Sequence, residues 1–197
     1  MIDFKGIAVH YGHQDVLTDV TFRVNKGDRV GVVGPNGSGK STLFKIILGE
    51  MSTDKGEVVI ECNPRIGFTR QNPQPDTPDE TLLEYSLRGI PGLSEMEAEM
   101  SELECDLTDP AKMKRYGELQ TKFEHLGGYD IETRVKIALG GLGFATEEFD
   151  QPFRSFSGGW RMRAELSRVL ASKPDLLLLD EPSNYLDLPA VEWLQKF

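Results

Sequence analysis

The sequence predicts an α/β fold: a parallel core sheet, an antiparallel β subdomain and an inserted helical subdomain. Three observations carry this. Near the amino terminus apolar and polar residues alternate, with Val20, Phe22 and Val24 on one side, the period of two that half-buried antiparallel strands need. Residues 29–33 and 176–179 are short, nearly continuous apolar runs, the pattern of strands covered on both faces. Between them, from Thr81 to about Phe144, the pattern reads as helix throughout.

Taken in order, Asn25, Lys26, Gly27 and Asp28 form a turn after the opening strands, and the β-branched run 29–33 follows as a buried strand. It leads into a glycine-rich stretch and then a helical pattern over 43–48. Two more strand-like runs, 57–61 and 66–69, end near Gln71, and 72–78 is a proline-rich loop. Within the helical insert Ser94 with Glu97 has the spacing of a capping box, Asp109-Pro110 starts a helix and Gly127-Gly128 ends it. Met113, Tyr116, Leu119, Phe123 and Leu126 recur at three- and four-residue steps. That stripe needs a partner, which Leu93, Met96, Met100 and Leu103 supply if the two helices form a hairpin. The acidic stretch 95–109 reads as a solvated helix face. Further on, Ser157 caps a helix that carries Leu166, Val169 and Leu170 on one face. Residues 176–179 form a buried parallel strand between Asp175 and Asp180, and Asp187-Leu188-Pro189 opens a helix with Val191 and Leu194 on its apolar side. The resulting division is 1–80 for the first part of the core, 81–144 for the helical subdomain with its arm-like hairpin, and 145–197 for the remainder.

The 197 residues include 22 Lys plus Arg against 32 Asp plus Glu, a formal net charge of −10. This balance argues against a general nucleic-acid-binding face, which needs clustered cations. Hydrophobic residues make up 39% and charged residues 27%, too apolar for a disordered chain. No apolar run approaches the roughly 20 residues of a membrane-crossing helix, and the opening Met1-Ile2-Asp3-Phe4 is unlike a signal peptide. Cys62 and Cys105 form no metal-ligand spacing, so a reduced, cytoplasmic setting is expected.

Residues 34–41 (Gly34, Pro35, Asn36, Gly37, Ser38, Gly39, Lys40, Ser41), followed by Thr42, match the phosphate-loop pattern G-x-x-x-x-G-K-[ST] between a strand and a helix. The glycines let the backbone curl around an anion with its N–H groups inward, and the helix brings the positive end of its dipole. Lys40 would then reach the β- and γ-phosphates as a point charge, and the Ser41 hydroxyl would ligate Mg²⁺. The leucine run 176–179 delivers Asp180 to the carboxyl edge of the sheet, where open α/β folds bind ligands. There Asp180 can hold Mg²⁺ through water, and the adjacent Glu181 can polarise a nucleophilic water.

At these residues the sequence resembles the ATP-binding cassette family of P-loop NTPases, from Tyr11 to Asp187, with the family's motifs in order. The resemblance implies an ATPase that uses ATP and Mg²⁺. It makes Ser157-Gly158-Gly159 the signature motif, which closes over the γ-phosphate held by the phosphate loop of another cassette. It puts Gln71 at the Q-loop, in reach of Mg²⁺ and the attacking water. It casts Tyr11 as the aromatic that stacks on adenine, with Val16 as an apolar neighbour, and 184–187 as the D-loop. Residues 156–163 (FSGGWRMR) and 180–187 (DEPSNYLD) are similar to the ABC-F group, as are Gly128-Tyr129-Asp130 and Gly141-Leu142-Gly143-Phe144. That group implies a soluble protein with two cassettes in one chain and no membrane segment, so a second cassette is the expected partner, with the ribosome and its RNA implied by resemblance alone. Ser183 and Tyr185 stand where Thr and His are usual. The family's switch histidine follows Asp180, whereas His10, His13 and His125 all precede it, so the chain reads as an amino-terminal fragment with an unpaired apolar sheet edge. Two alternatives stay open: the nucleotide-binding subunit of a membrane transporter, and a nucleotide-binding fragment without turnover, the reading favoured for the 197 residues as they stand.

Overall fold

The computed structural model describes residues 1–12, 14–69, 73–105 and 108–196. The chain divides into two units: Met1–Ile66 with Asp175–Asp180, and Gly67–Pro174 with Glu181–Phe197.

In the first unit β1 (Ile2–Tyr11) pairs antiparallel with β2 (Gln14–Val24) on one side and β3 (Lys55–Ile60) on the other. The register sets Ile2 against Val24 and Phe4 against Phe22, and the two phenyl rings stack with centroids 4.2 Å apart. Ile2, Phe4, Ile7 and Val9 are buried, and Val20, Phe22 and Val24 are half-buried as their alternation predicts. The register slips between Phe4 and Ile7 and again between Ile7 and Val9, and across the second slip Ile7, Ala8 and Val9 are buried consecutively. The turn at 25–28 is closed by the Asp28 N–H on the Asn25 carbonyl (3.1 Å), and the Asp28 carboxylate accepts from the Asn25 N–H at 2.7 Å.

Residues 29–33 depart from expectation. They are neither a strand nor buried: Val30, Val32 and Val33 are all exposed. β-propensity is realised only when neighbouring strands supply a ladder and covering side chains, and no described strand does so here. Beyond them α1 (Lys40–Ile47) buries Thr42, Leu43, Ile46 and Ile47. A second sheet has two strands, β4 (Ile66–Phe68), which begins in this unit, and β5 (Leu176–Leu178). The Arg65 carbonyl accepts from the Asp175 and Leu176 N–H groups at 2.8 and 3.2 Å, and the Asp175 carboxylate accepts from the Arg65 N–H. β5 therefore ends two residues before Asp180, with Leu178 buried.

The second unit is helical: α2 (Leu82–Leu87), α3 (Leu93–Glu104), α4 (Pro110–His125), α5 (Ile131–Gly141), α6 (Gly158–Ala171) and α7 (Leu188–Lys196). The expected capping box at Ser94 and Glu97 is not formed. Buried Leu93 opens α3 directly after Gly92, so both residues lie inside the helix. A capping box stands instead at the start of α2, where the Glu84 N–H reaches Thr81 Oγ1 at 3.2 Å and the Thr81 N–H reaches Glu84 Oε2 at 2.8 Å. α4 begins as its sequence predicts, with Asp109 accepting from the Ala111 N–H at 2.8 Å and Pro110 in the first turn.

α3 and α4 form the expected hairpin. Leu93, Met96 and Met100 share a buried cluster with Leu119 and Phe123, while Leu103, Tyr116 and Leu126 pack partly buried around it. Met113 is exposed: it lies in the first turn of α4, at the end of the hairpin where the chain passes from α3 to α4. The acidic stretch is only in part a solvated face: Glu99 receives a two-pronged Arg115 at 2.7 and 3.0 Å, and Glu104 accepts from the Tyr116 hydroxyl at 2.7 Å. A deeper polar group sits on α6. Glu165 is 0% exposed, accepts the Tyr85 hydroxyl at 2.6 Å and is held by Arg168 at 2.7 and 2.8 Å. Burial, then the Glu165 charge, pushes the Tyr85 phenol far above its ordinary range. No helix among the described residues is long and apolar enough to cross a membrane.

Candidate functional site

Two constellations carry chemistry, one in each unit. The first is the bend between residues 34 and 42. The Ser38 N–H bonds the Pro35 carbonyl at 3.2 Å, curling the chain, and Gly39 (φ +89°) turns it into α1. A Cβ on Gly39 would lie 2.9 Å from Leu17 and 3.1 Å from the Val16 carbonyl; one on Gly34 would lie 2.5 Å from Ser38 Oγ. Val16 is half-buried and packs beneath this bend. The first intrahelical bond runs from the Leu43 N–H to the Gly39 carbonyl, so the N–H groups of Lys40, Ser41 and Thr42 have no acceptor within α1.

Lys40 spans the loop, its ammonium donating to the Gly34 and Pro35 carbonyls at 2.8 and 3.1 Å. An ammonium carries three protons, so one remains for an oxygen outside the loop. Ser41 Oγ lies 3.2 Å from Asp180 Oδ2, across 139 positions of sequence. A hydroxyl and a carboxylate at that distance are the hard oxygen donors Mg²⁺ takes, and the curled backbone with its lysine is the donor set a polyphosphate takes. The residues present therefore fit both groups. Pro35, Asn36, Gly37 and Ser38 are exposed, whereas Thr42 is buried in α1.

Tyr11, the last residue of β1, is half exposed, and its hydroxyl lies 3.6 Å from Met51 Sδ. Just before it the His10 N–H is taken by the Asp54 carboxylate at 2.7 Å, and that bond is the main cause holding Asp54 below the ordinary carboxylate range. Gln71 lies outside the described residues.

The second constellation surrounds the start of α6. Ser157 occupies the N-cap position, yet its side chain makes no cap bond, so its hydroxyl stays available at an exposed helix start. A Cβ on Gly158 or Gly159 would meet open space, so the backbone there is accessible to a ligand. Glu181 begins the short turn Pro182–Asn184 at φ +49°, uncommon for a residue with a side chain, and its carboxylate accepts from Asn184 Nδ2 at 2.9 Å. Asp180 and Glu181 are consecutive but fall in different units, Asp180 with Ser41 and Glu181 with Ser157.

Arg163 closes the ABC-F-like segment 156–163, but the sequence assigns it no role of its own. Its Nε donates to the Tyr185 carbonyl at 2.7 Å, and its Nη1 donates to the Leu142 carbonyl at 3.1 Å and to Asp187 Oδ2 at 3.0 Å. The guanidinium lies over the Trp160 ring, 4.6 Å from its centroid. The three-residue spacing of Trp160 and Arg163 is a further signal, because it puts both on one helix face. Trp160, Arg163, Tyr185 and Asp187 line an open depression of ≈ 340 Å³ that also takes in Ser157, Gly159 and Asn184. The other Asp187 oxygen caps α7 through the Ala190 N–H at 3.0 Å, and this bond first, then Arg163, holds the carboxyl below its ordinary range.

The family described as ABC transporter matches residues 17–184. The chain is 36% identical over 197 residues to the probable ATP-binding protein YheS of Escherichia coli (strain K12), covering 100% of this chain and 30% of that protein. It is 35% identical over 196 residues to the energy-dependent translational throttle protein EttA of Mycobacterium tuberculosis (strain CDC 1551 / Oshkosh), covering 98% of this chain and 34% of EttA. The chain thus spans about a third of the length of these relatives. Among solved structures, the ATP binding subunit of an ABC transporter matches with a TM-score of 0.70 at 24% identity, over 99% of this chain and 72% of that one, which shows a shared fold. With the phosphate loop, Asp180 and the Ser-Gly-Gly helix start all inside the matched span, the chain belongs to the ABC transporter family.

Proposed function

We propose that the chain is a nucleotide-binding cassette of an ABC-F type ATPase. It binds ATP with Mg²⁺ and, completed by a second cassette, hydrolyses it. The observation that carries this is the loop at 34–41 with Lys40 across it and Ser41 set against Asp180. Backbone amides at the start of α1 and the Lys40 ammonium take the β- and γ-phosphates; Ser41 and Asp180 take Mg²⁺, with Gln71 as a further contact. Mg²⁺, when bound, offsets charge that develops on the phosphate oxygens. Tyr11 offers its ring to the adenine and Val16 supports the bend beneath it. Glu181 accepts a proton from water as the water oxygen bonds to the γ-phosphorus and the bond to the bridging oxygen breaks. Ser157, Gly158 and Gly159 donate to the γ-phosphate held by the other cassette, so turnover belongs to the two-cassette protein and this chain alone binds without turning over.

Trp160, the 184–187 loop and the α3–α4 hairpin favour this reading over a transporter subunit, because they match the ABC-F pattern. A cytoplasmic protein acting on translation is the cellular reading that the EttA relationship supports. Titration calorimetry with ATP and Mg²⁺ tests the core of the proposal. Lys40→Ala is expected to abolish measurable binding, and a titration identical to the parent's would remove the phosphate-loop assignment. In the full-length protein Glu181→Gln is expected to keep ATP affinity and stop turnover; normal turnover would remove Glu181 as the base.

A further inference from the structure

We propose that Arg163 is a positioning residue that locks the Ser157-Gly158-Gly159 helix start to the 184–187 loop, so that the two meet a partner cassette as one surface. This rests on the cassette reading above. Arg163 stands in the second turn of α6 with 11% of its side chain exposed. Three stretches of chain converge on its guanidinium: the carboxyl end of α5 through the Leu142 carbonyl, α6 itself through Trp160, and the 184–187 loop through Tyr185 and Asp187. The packing leaves little slack, since a Cβ on Gly143 would sit 3.2 Å from Arg163 Nη1.

Only a planar fork satisfies this arrangement. Nε and Nη1 point in fixed, different directions while the face of the same group lies on an indole. A lysine ammonium keeps the charge but has one nitrogen on a flexible stem and cannot serve the Tyr185 carbonyl, the Leu142 carbonyl and Asp187 together. Freed from Arg163, the 184–187 loop loses its fixed distance to Ser157, and a clamp that must close on a phosphate needs its donors held to within a fraction of an ångström.

Asp187 provides a clean partner variant. Its Oδ1 caps α7 and its Oδ2 receives Arg163. Asparagine caps helices as well as aspartate, so Asp187→Asn keeps the cap and removes the charge that faces Arg163. Both residues lie in the unit that does not contain the phosphate loop, so binding of ATP to the loop and closure of the clamp are separable measurements.

The test is a double-mutant cycle in the full-length protein with Arg163→Lys and Asp187→Asn, reading the Kd for ATP by calorimetry and kcat and KM for turnover. Each single variant is expected to hold its Kd within twofold of the parent while kcat falls at least tenfold. The double variant is expected to fall no further than the worse single one, because both remove the same contact. Parental kcat in the single variants, or losses that multiply in the double, would overturn the lock. Absence of ATP binding in the parent would instead overturn the cassette reading.

Discussion

Tyr11 is a single side chain whose exposure decides its role. Packed into the core, it would be one more strand aromatic, but half of its surface is open, and its hydroxyl is anchored on Met51 Sδ. A half-exposed aromatic held at its hydroxyl suits the adenine platform proposed above, because part of its rotamer freedom is already given up. Tyr11→Ala is expected to weaken ATP by roughly 1–3 kcal/mol, the range for base–aromatic stacking, and Tyr11→Phe to stay near the parent, both read by calorimetry. Equal affinities for Tyr11→Ala and the parent would remove the platform. At this scale Lys40 and Ser41 were legible in the sequence because one local bend, with steric limits at Gly34 and Gly39, dictates their spacing. Arg163 was not legible: its acceptors at Leu142, Tyr185 and Asp187 lie 21, 22 and 24 positions away, and no spacing rule reaches across folded elements.

The helices were legible where a start signal and an apolar stripe agree, as at Asp109-Pro110 and along α4. Capping chemistry alone misplaced the start of α3, because burial of Leu93 outweighed the Ser94–Glu97 pattern, while Thr81 and Glu84 formed the box that pins α2. What joins α2 to α6 is a contact no helix pattern announces. Tyr85 and Arg168 close on Glu165, a carboxylate at 0% exposure on the apolar side of α6. A charge so buried is tolerated only while paired, so Glu165→Ala, which leaves the Arg168 guanidinium without its counter-charge, is expected to destabilise the fold by about 3–5 kcal/mol. Tyr85→Phe removes one hydrogen bond to a charged group and is expected to lower stability by about 1.5–3 kcal/mol. Urea denaturation followed by circular dichroism measures both, and a loss below about 1 kcal/mol for Glu165→Ala would show the group to be solvated rather than buried.

At the scale of the whole molecule, the run 29–33 has the composition of a core strand, and that composition remains although the described structure forms no strand there. Val30, Val32 and Val33 are 54%, 41% and 94% exposed. An exposed β-branched run of this kind is apolar surface suited to strand addition, and a second copy of the chain offers the same segment in return. The net charge of −10 opposes that encounter over about 10 Å at 0.1 M salt and is screened beyond it. The 197-residue chain is therefore expected to self-associate with rising concentration, and more strongly as salt is added. Val30 and Val32 alternate onto one side of such a strand, so Val30→Lys with Val32→Lys is expected to abolish the association and to leave the Lys40 loop and its ATP affinity in place. Sedimentation velocity over a concentration series at low and high salt reads the outcome. A parent coefficient that does not rise with concentration would show that these valines, open as they are, present no pairing edge.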